Sequence, residues 1–234
     1  MSIDSEVICE IQVTRKGGKN MSNNKLKNGA LTAVPAGVMA GTANAAESEA
    51  VSKLIEKIRD NSDSVRAEAW LSAGEVGAPA VKPLAAVMTD KDLEVARAAK
   101  RGLWKIVRHV GRPGAGNEKS AVIAELIALL NDNQPTPVRR EVLWMLSEIG
   151  RSKSVGAVAA LLSNKELRED ARMVLQRIPG RKSLAALRAG LKAAPEDFKI
   201  NIAQSLRQRG AKVRGFPCVK LVPTKKTSVK PIKE

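Results

Sequence analysis

The 234-residue chain is long enough to bury a sizeable core, and 44% of its residues are hydrophobic. Only 2% are aromatic and none is Tyr, so its interior is built from Ala, Val, Leu and Ile, which suits small, closely packed helices and argues against an all-β sandwich. Lys and Arg outnumber Asp and Glu by 40 to 24, a balance that attracts anionic partners without specifying a fold.

The charge is uneven along the chain. Residues 1–47 hold 5 basic and 4 acidic side chains, residues 48–210 hold 28 and 19, and residues 211–234 hold 7 and 1. Cys9 and Cys218 lie in the two flanking segments and form neither a disulfide framework nor a CxxC metal pair. No apolar run reaches the roughly 18 residues that predict a membrane-spanning helix.

Residues 1–46 form a leader. Lys25 and Lys27 make a basic region, Leu31 to Thr42 a weakly apolar one, and Ala43-Asn44-Ala45 a small-x-small cleavage site, the order found in a secretory signal. Such a signal starts near an initiating Met, and Met21 is better placed than Met1. Arg15-Lys16-Gly17-Gly18-Lys19-Asn20 precedes it, and Lys-Gly-Gly is encoded by purine runs that resemble a bacterial ribosome-binding site. Translation from Met21 and cleavage after Ala45 imply a periplasmic or secreted protein. The alternative is a disordered arm on a cytoplasmic one.

From residue 47 to 210 one pattern recurs. Val65, Val95, Val138, Leu167 and Phe198 each begin a helix whose apolar columns continue in Ala73, Leu103, Leu146, Leu175 and Leu206, then in Val76, Ile106, Ile149 and Ile178, with Arg209 breaking the last column. Offsets of this kind share one helical face. A second helix follows four of these, with columns Val81, Ile123, Val155 and Leu184, then Leu84, Leu126, Val158 and Leu187, then Met88, Leu130, Leu162 and Leu191. Val51, Leu54 and Ile58 fit the second-helix template alone, as a half-repeat covering the open end. Gly77, Gly111, Gly150, Gly180 and Gly210 follow helix patterns, as residues able to adopt a left-handed stop. Helix pairs repeating about every 30 residues predict an all-α superhelix of four to five repeats, each burying its face against its neighbours. One longer interval comes from an extra turn and loop, Val107 to Lys119.

The run Val138-Arg139-Arg140-Glu141-Val142-Leu143-Trp144-Met145-Leu146-Ser147-Glu148-Ile149-Gly150, after Pro137, resembles HEAT repeats, and the short period resembles the HEAT-like repeats of phycobiliprotein lyases. The resemblance spans about 48–210 and rests on packing positions. It implies that Arg66, Arg139 and Arg168 form a ladder with acidic residues of adjacent units, with Asp63 as one partner.

Beyond 210, Lys212, Arg214, Lys220, Lys225, Lys226, Lys230 and Lys233 are interspersed with Pro217, Pro223 and Pro231, which predicts a flexible basic tail that contacts anionic surfaces or solubilises the chain.

Catalytic chemistry finds little support. His109 is the only histidine, so no triad or His-Glu metal set assembles around it, and it reads as a surface residue. Gly111 to Ser120 lacks the Lys directly after the last Gly that a phosphate loop needs, and reads as a repeat connection in which Asn117 or Ser120 starts the next helix. Trp70, Trp104 and Trp144 stand at unequal offsets in their repeats, so they form no stacking ladder. No cofactor or metal is expected.

The reading that remains is a non-catalytic scaffold or adaptor. Lys82, Lys119, Lys153, Arg188 and Lys192, on the second helices, are the candidate contacts for an acidic protein partner, against a background of ordinary solvated charge. Nucleic acid is the partner to consider if the chain stays in the cytoplasm, although scarce aromatics argue against base stacking. The family resemblance alone adds a third alternative, a phycobilin lyase-like accessory protein.

Overall fold

A computed structural model describes residues 36–216. Among these residues there are ten α-helices and no strand. The first, α1 (Ala36–Ile58), stands alone. Then come the pairs α2 (Asp63–Val76) with α3 (Val81–Val87), α4 (Leu93–Gly111) with α5 (Gly116–Ala128), α6 (Thr136–Ile149) with α7 (Val155–Ala160), and α8 (Arg168–Arg177) with α9 (Arg181–Ala193). The last helix is α10 (Glu196–Gln208). Short 3-10 turns, Ala78–Ala80 and Leu161–Ser163, flank α3 and α7. The even-numbered helices, called A-helices below, pack in sequence on one another, and each also packs on the helix that precedes it.

The two apolar columns explain this stacking. Ala73, Leu103, Leu146, Leu175 and Leu206 are all buried to within 1% of complete, and so are Leu84, Leu126, Val158 and Leu187 in the facing layer. Each Leu or Val among them contributes about 1.5–3 kcal/mol by leaving water. The core is therefore a continuous seam between two layers of helices. Leu54 and Ile58 of α1 are buried and Val51 half-buried, so α1 closes the first end as a half-repeat. Residues 45–50 of the same helix are exposed.

Arg209, which breaks the apolar column, has a different task. Its Nη1 donates to the carbonyls of Leu175, Gln176 and Ile178 and to Ser183 Oγ at 2.6–3.2 Å, and its Nη2 donates to the carbonyl of Gly180. These carbonyls end α8 and have no intrahelical donor, and a cation there also opposes the negative end of the helix dipole. The last helix thus spends its final core position on closing the previous repeat.

Two expectations about helix ends are corrected. Gly77, Gly180 and Gly210 take positive φ, but Gly111 and Gly150 do not. Gly150 has φ of −57°, and a Cβ there would lie 2.2 Å from the carbonyl oxygen of Leu146, so close approach is what demands glycine. Neither Asn117 nor Ser120 caps α5. Ser120 Oγ donates to the carbonyl of Gly116 inside the helix, and the turn is held by Arg112, whose Nη2 donates to both oxygens of Glu118 at 2.8 Å.

The chain stays ordered in its contacts past residue 210. Ala211 and Val213 are half-buried against the core, Lys212 and Arg214 point outward, and Arg207 donates to the carbonyl of Phe216. Lys220, Lys225, Lys226, Lys230 and Lys233 lie outside the described residues, as does most of the signal-like segment. No helix among the described residues is long and apolar enough to cross a membrane.

Replacing Arg209 by Ala should lower the unfolding free energy by about 1–3 kcal/mol, because buried carbonyls lose a charged donor. Urea unfolding followed by circular dichroism checks this, and deletion of residues 1–45 should leave the same midpoint unchanged.

Candidate functional site, a basic tryptophan cleft

The helix α4 is about 28 Å long at 1.5 Å per residue, and one of its sides is built almost wholly from cations. Arg97, Lys100, Arg101, Lys105 and Arg108 recur at spacings of three and four and so share a face. With Trp104 and with Trp70 of α2 they line an open cleft of about 420 Å³. A second hollow, of about 290 Å³, continues it toward the start of both helices and shares Trp70 and Arg101 with it. Ala98 and Arg66 are in its wall.

The side chains of the cleft differ in how far they are already neutralised. Arg97 is paired with Glu94 at 2.6 Å and Lys100 with Glu141 at 2.7 Å. Arg101 instead lies over the Trp70 ring at 5.8 Å, and Arg108 lies over the Trp104 ring at 5.6 Å. These contacts are worth about 0.5–1 kcal/mol at exposed sites and leave every guanidinium N–H free. Arg101, Lys105 and Arg108 meet no carboxylate among the described residues. Three cations thus stand uncompensated beside two indoles, in a concavity where partial exclusion of water strengthens each charge.

The indoles are positioned by the grooves between A-helices. Trp104 Nε1 donates to Glu141 Oε1 of α6, and Glu141 is buried and also holds Lys100. Trp144 Nε1 donates to Asp170 Oδ1 of α8 at 2.8 Å, and Asp170 also holds Arg140 at 3.1 Å. In both cases a cation four residues before the Trp shares the same carboxylate. Trp70 has Arg66 four residues before it, but its own indole N–H has no partner among the described residues and is open to water. The recurrence of a cation four residues before each Trp was present in the sequence, and it is the signal that unequal repeat offsets concealed.

A family model for HEAT repeats matches residues 123–207. Solved structures similar to this chain include an engineered protein from a structural genomics consortium, 20% identical over 68% of this chain and 78% of that one with a TM-score of 0.37. Another is a designed armadillo repeat protein in complex with the peptide (KR)4, 16% identical over 74% and 94% with a TM-score of 0.40. No curated protein matches this sequence.

Along the stacked helices, the arginine ladder is only partly formed as expected. Arg168 does reach the next repeat, pairing with Asp197 at 2.6 Å while its guanidinium sits 4.7 Å over the ring of Phe198. Arg66 pairs with Asp63 of its own helix, and Arg139 pairs with Asp132 of the loop just before its helix at 2.8 Å. The ion pairs from one A-helix to the next are carried by Lys100, Arg140 and Arg168.

The five second-helix candidates fall into two groups. Lys82 stands near the start of α3 and is tied to Glu125 of α5 at 2.9 Å, and Lys119, in the first turn of α5, donates to the carbonyl of Gly111. Lys153 precedes α7. Arg188 and Lys192 sit one turn apart in the second half of α9. The first three are thus at helix starts and the last two toward a helix end. His109 is not simply a surface residue. Its Cβ and ring fill the space that a Cβ on Gly74 would need, at 2.9–3.2 Å, so it packs α4 onto α2, with Nε2 3.9 Å from Glu118. On α1, the hydrogen bond from Lys53 holds the Glu49 carboxyl below its ordinary pKa and raises that of Lys53.

Replacing Glu141 by Ala should cost about 1–3 kcal/mol of stability, since it strands both Lys100 and the Trp104 N–H. It should also shift Trp emission to the red, and thermal unfolding read by fluorescence reports both effects.

Proposed function

We propose that this protein is a non-catalytic HEAT-repeat scaffold that binds an acidic segment of a protein partner along the α2–α4 side of its solenoid. The observation that carries the reading is the cluster of Arg101, Lys105 and Arg108, free of carboxylates and set beside Trp70 and Trp104. Trp and Arg are the side chains most often found at the energetic centres of protein interfaces, because they bring large contact area together with fixed donors. A repeat protein leaves such exposed positions free to specialise, since its core needs only the buried columns.

Nucleic acid is the weaker reading. Non-specific affinity for phosphates needs only positive charge. Sequence-tolerant binding of single strands also stacks bases on open aromatic faces, and here Arg101 and Arg108 already lie over Trp70 and Trp104.

Export is part of the same proposal. Cleavage after Ala45 retains Leu54 and Ile58, the buried residues of α1 from 45 onward, and would deliver a protein carrying this cleft to the periplasm or exterior. Mass spectrometry of the native amino terminus decides it. A chain starting at Ala46 supports export, and one starting at Met1 or Met21 refutes it.

Because the chain has no Tyr, its emission reports its three Trp residues, and titration with a glutamate-rich peptide reads the cleft directly. Reversing Arg101, Lys105 and Arg108 to Glu together should weaken binding at least roughly tenfold. Reversing Lys153, Arg188 and Lys192 changes net charge equally and should weaken it much less. Equal losses would overturn the cleft as the binding surface.

A further inference from the structure

The grooves between successive A-helices follow one rule with one exception. The third residue after the aligned start of each A-helix is Glu68, Ala98, Glu141, Asp170 and Asn201 in turn. Four of these meet a side chain of the preceding repeat or half-repeat. Glu68 faces Lys57 of α1 at 3.8 Å, Glu141 takes Lys100 and Trp104 of α4, Asp170 takes Arg140 and Trp144 of α6, and Asn201 donates to Glu169 of α8. Ala98 can do none of this. It shares the smaller hollow with Trp70, Arg66 and Arg101, and with Asp63 and Glu94, which pair with Arg66 and Arg97.

The consequences are visible on both sides of that groove. The Trp70 N–H, whose counterparts at Trp104 and Trp144 each bind a carboxylate, is unpartnered and open to water. Arg66, the counterpart of Lys100 and Arg140, turns back to Asp63 and to the carbonyl of Asp60. Arg101 has settled over the face of Trp70 with its donors unused. Trp70 and Arg101 thus keep free donors on the α2–α4 groove, because its two carboxylates, Asp63 and Glu94, are held by Arg66 and Arg97.

We infer that the partner supplies an acceptor: an Asp or Glu side chain of the acidic segment enters the hollow beside Ala98, accepts from Trp70 Nε1 and pairs with the guanidinium of Arg101. The inference rests on the α2–α4 cleft being the binding surface, and it adds the atom-level anchor. A carboxylate is the acceptor that the two neighbouring grooves already hold in the same setting, and a charge-assisted hydrogen bond to one is stronger than a neutral bond. An indole N–H and a guanidinium converging on one carboxylate fix the register of the bound segment. The remaining cations, Lys105 and Arg108, lie further along α4, where the next acidic residues of the segment would meet them.

The test is to install the missing acceptor. In A98E the protein carries its own carboxylate at the position of Glu141 and Asp170, so the glutamate-rich peptide should bind roughly tenfold or more weakly, while circular dichroism shows an unchanged helix content. S72E, which adds the same charge to an exposed part of α2, controls for general repulsion and should bind nearly as the unmodified protein does. W70F keeps the ring but removes the N–H, and should weaken binding several-fold. If A98E does not fold, W70F alone decides. Should A98E and W70F both bind as the unmodified protein does while the triple reversal at Arg101, Lys105 and Arg108 does not, the cleft stands as the binding surface and the missing-carboxylate anchor is refuted. If all variants bind alike, both readings fall. If an oligonucleotide displaces the peptide at lower concentration than free glutamate peptide does, the anchor takes phosphate rather than carboxylate and the inference is refuted.

Discussion

Successive A-helices are joined by an acidic side chain that the later helix offers and the earlier helix grips. Glu141 and Asp170 show the arrangement most fully, each receiving one cation and one indole N–H from the helix before. Burying a carboxylate is costly unless it is both paired and hydrogen-bonded, and here both conditions are met. The aliphatic seam supplies most of the stabilisation but is nearly featureless, since Leu, Val and Ala tolerate sliding. The polar clamps set the register of one repeat on the next.

This division of labour explains where specialisation occurs. A solenoid is stabilised by contacts between neighbours, so one groove can lose its clamp while the stack remains intact. The α2–α4 groove has done so, and it is also where the close packing of His109 on Gly74 draws the two helices together. Apolar contact there takes over the joining role. The polar donors left behind, and the free cations of α4, are then available to something outside the chain.

The two ends are handled differently. At the first, α1 lays an apolar stripe over α2 and α3, and its Lys57 faces Glu68 of α2. At the other, Arg209 covers the carbonyls that end α8, and Ala211 and Val213 extend the apolar cover. The carbonyls at a helix end have no intrahelical donor, so a cation from the following helix satisfies them here.

Much of the fold was legible along the chain, because buried columns at helical spacing are a local property. The ends of most helices, the half-repeat at α1 and the longer α4 all follow from residues close in sequence. The cleft was not legible, for a physical reason. Whether Arg101 or Lys82 is free depends on whether a carboxylate stands opposite on another helix, and such partners lie 26 to 37 residues away in the Trp144–Asp170 and Trp104–Glu141 pairs. The sequence alone thus determined a helical-repeat scaffold of strong positive charge. Only the tertiary structure decided which of those charges are already paired, because pairing is set by how adjacent repeats stack.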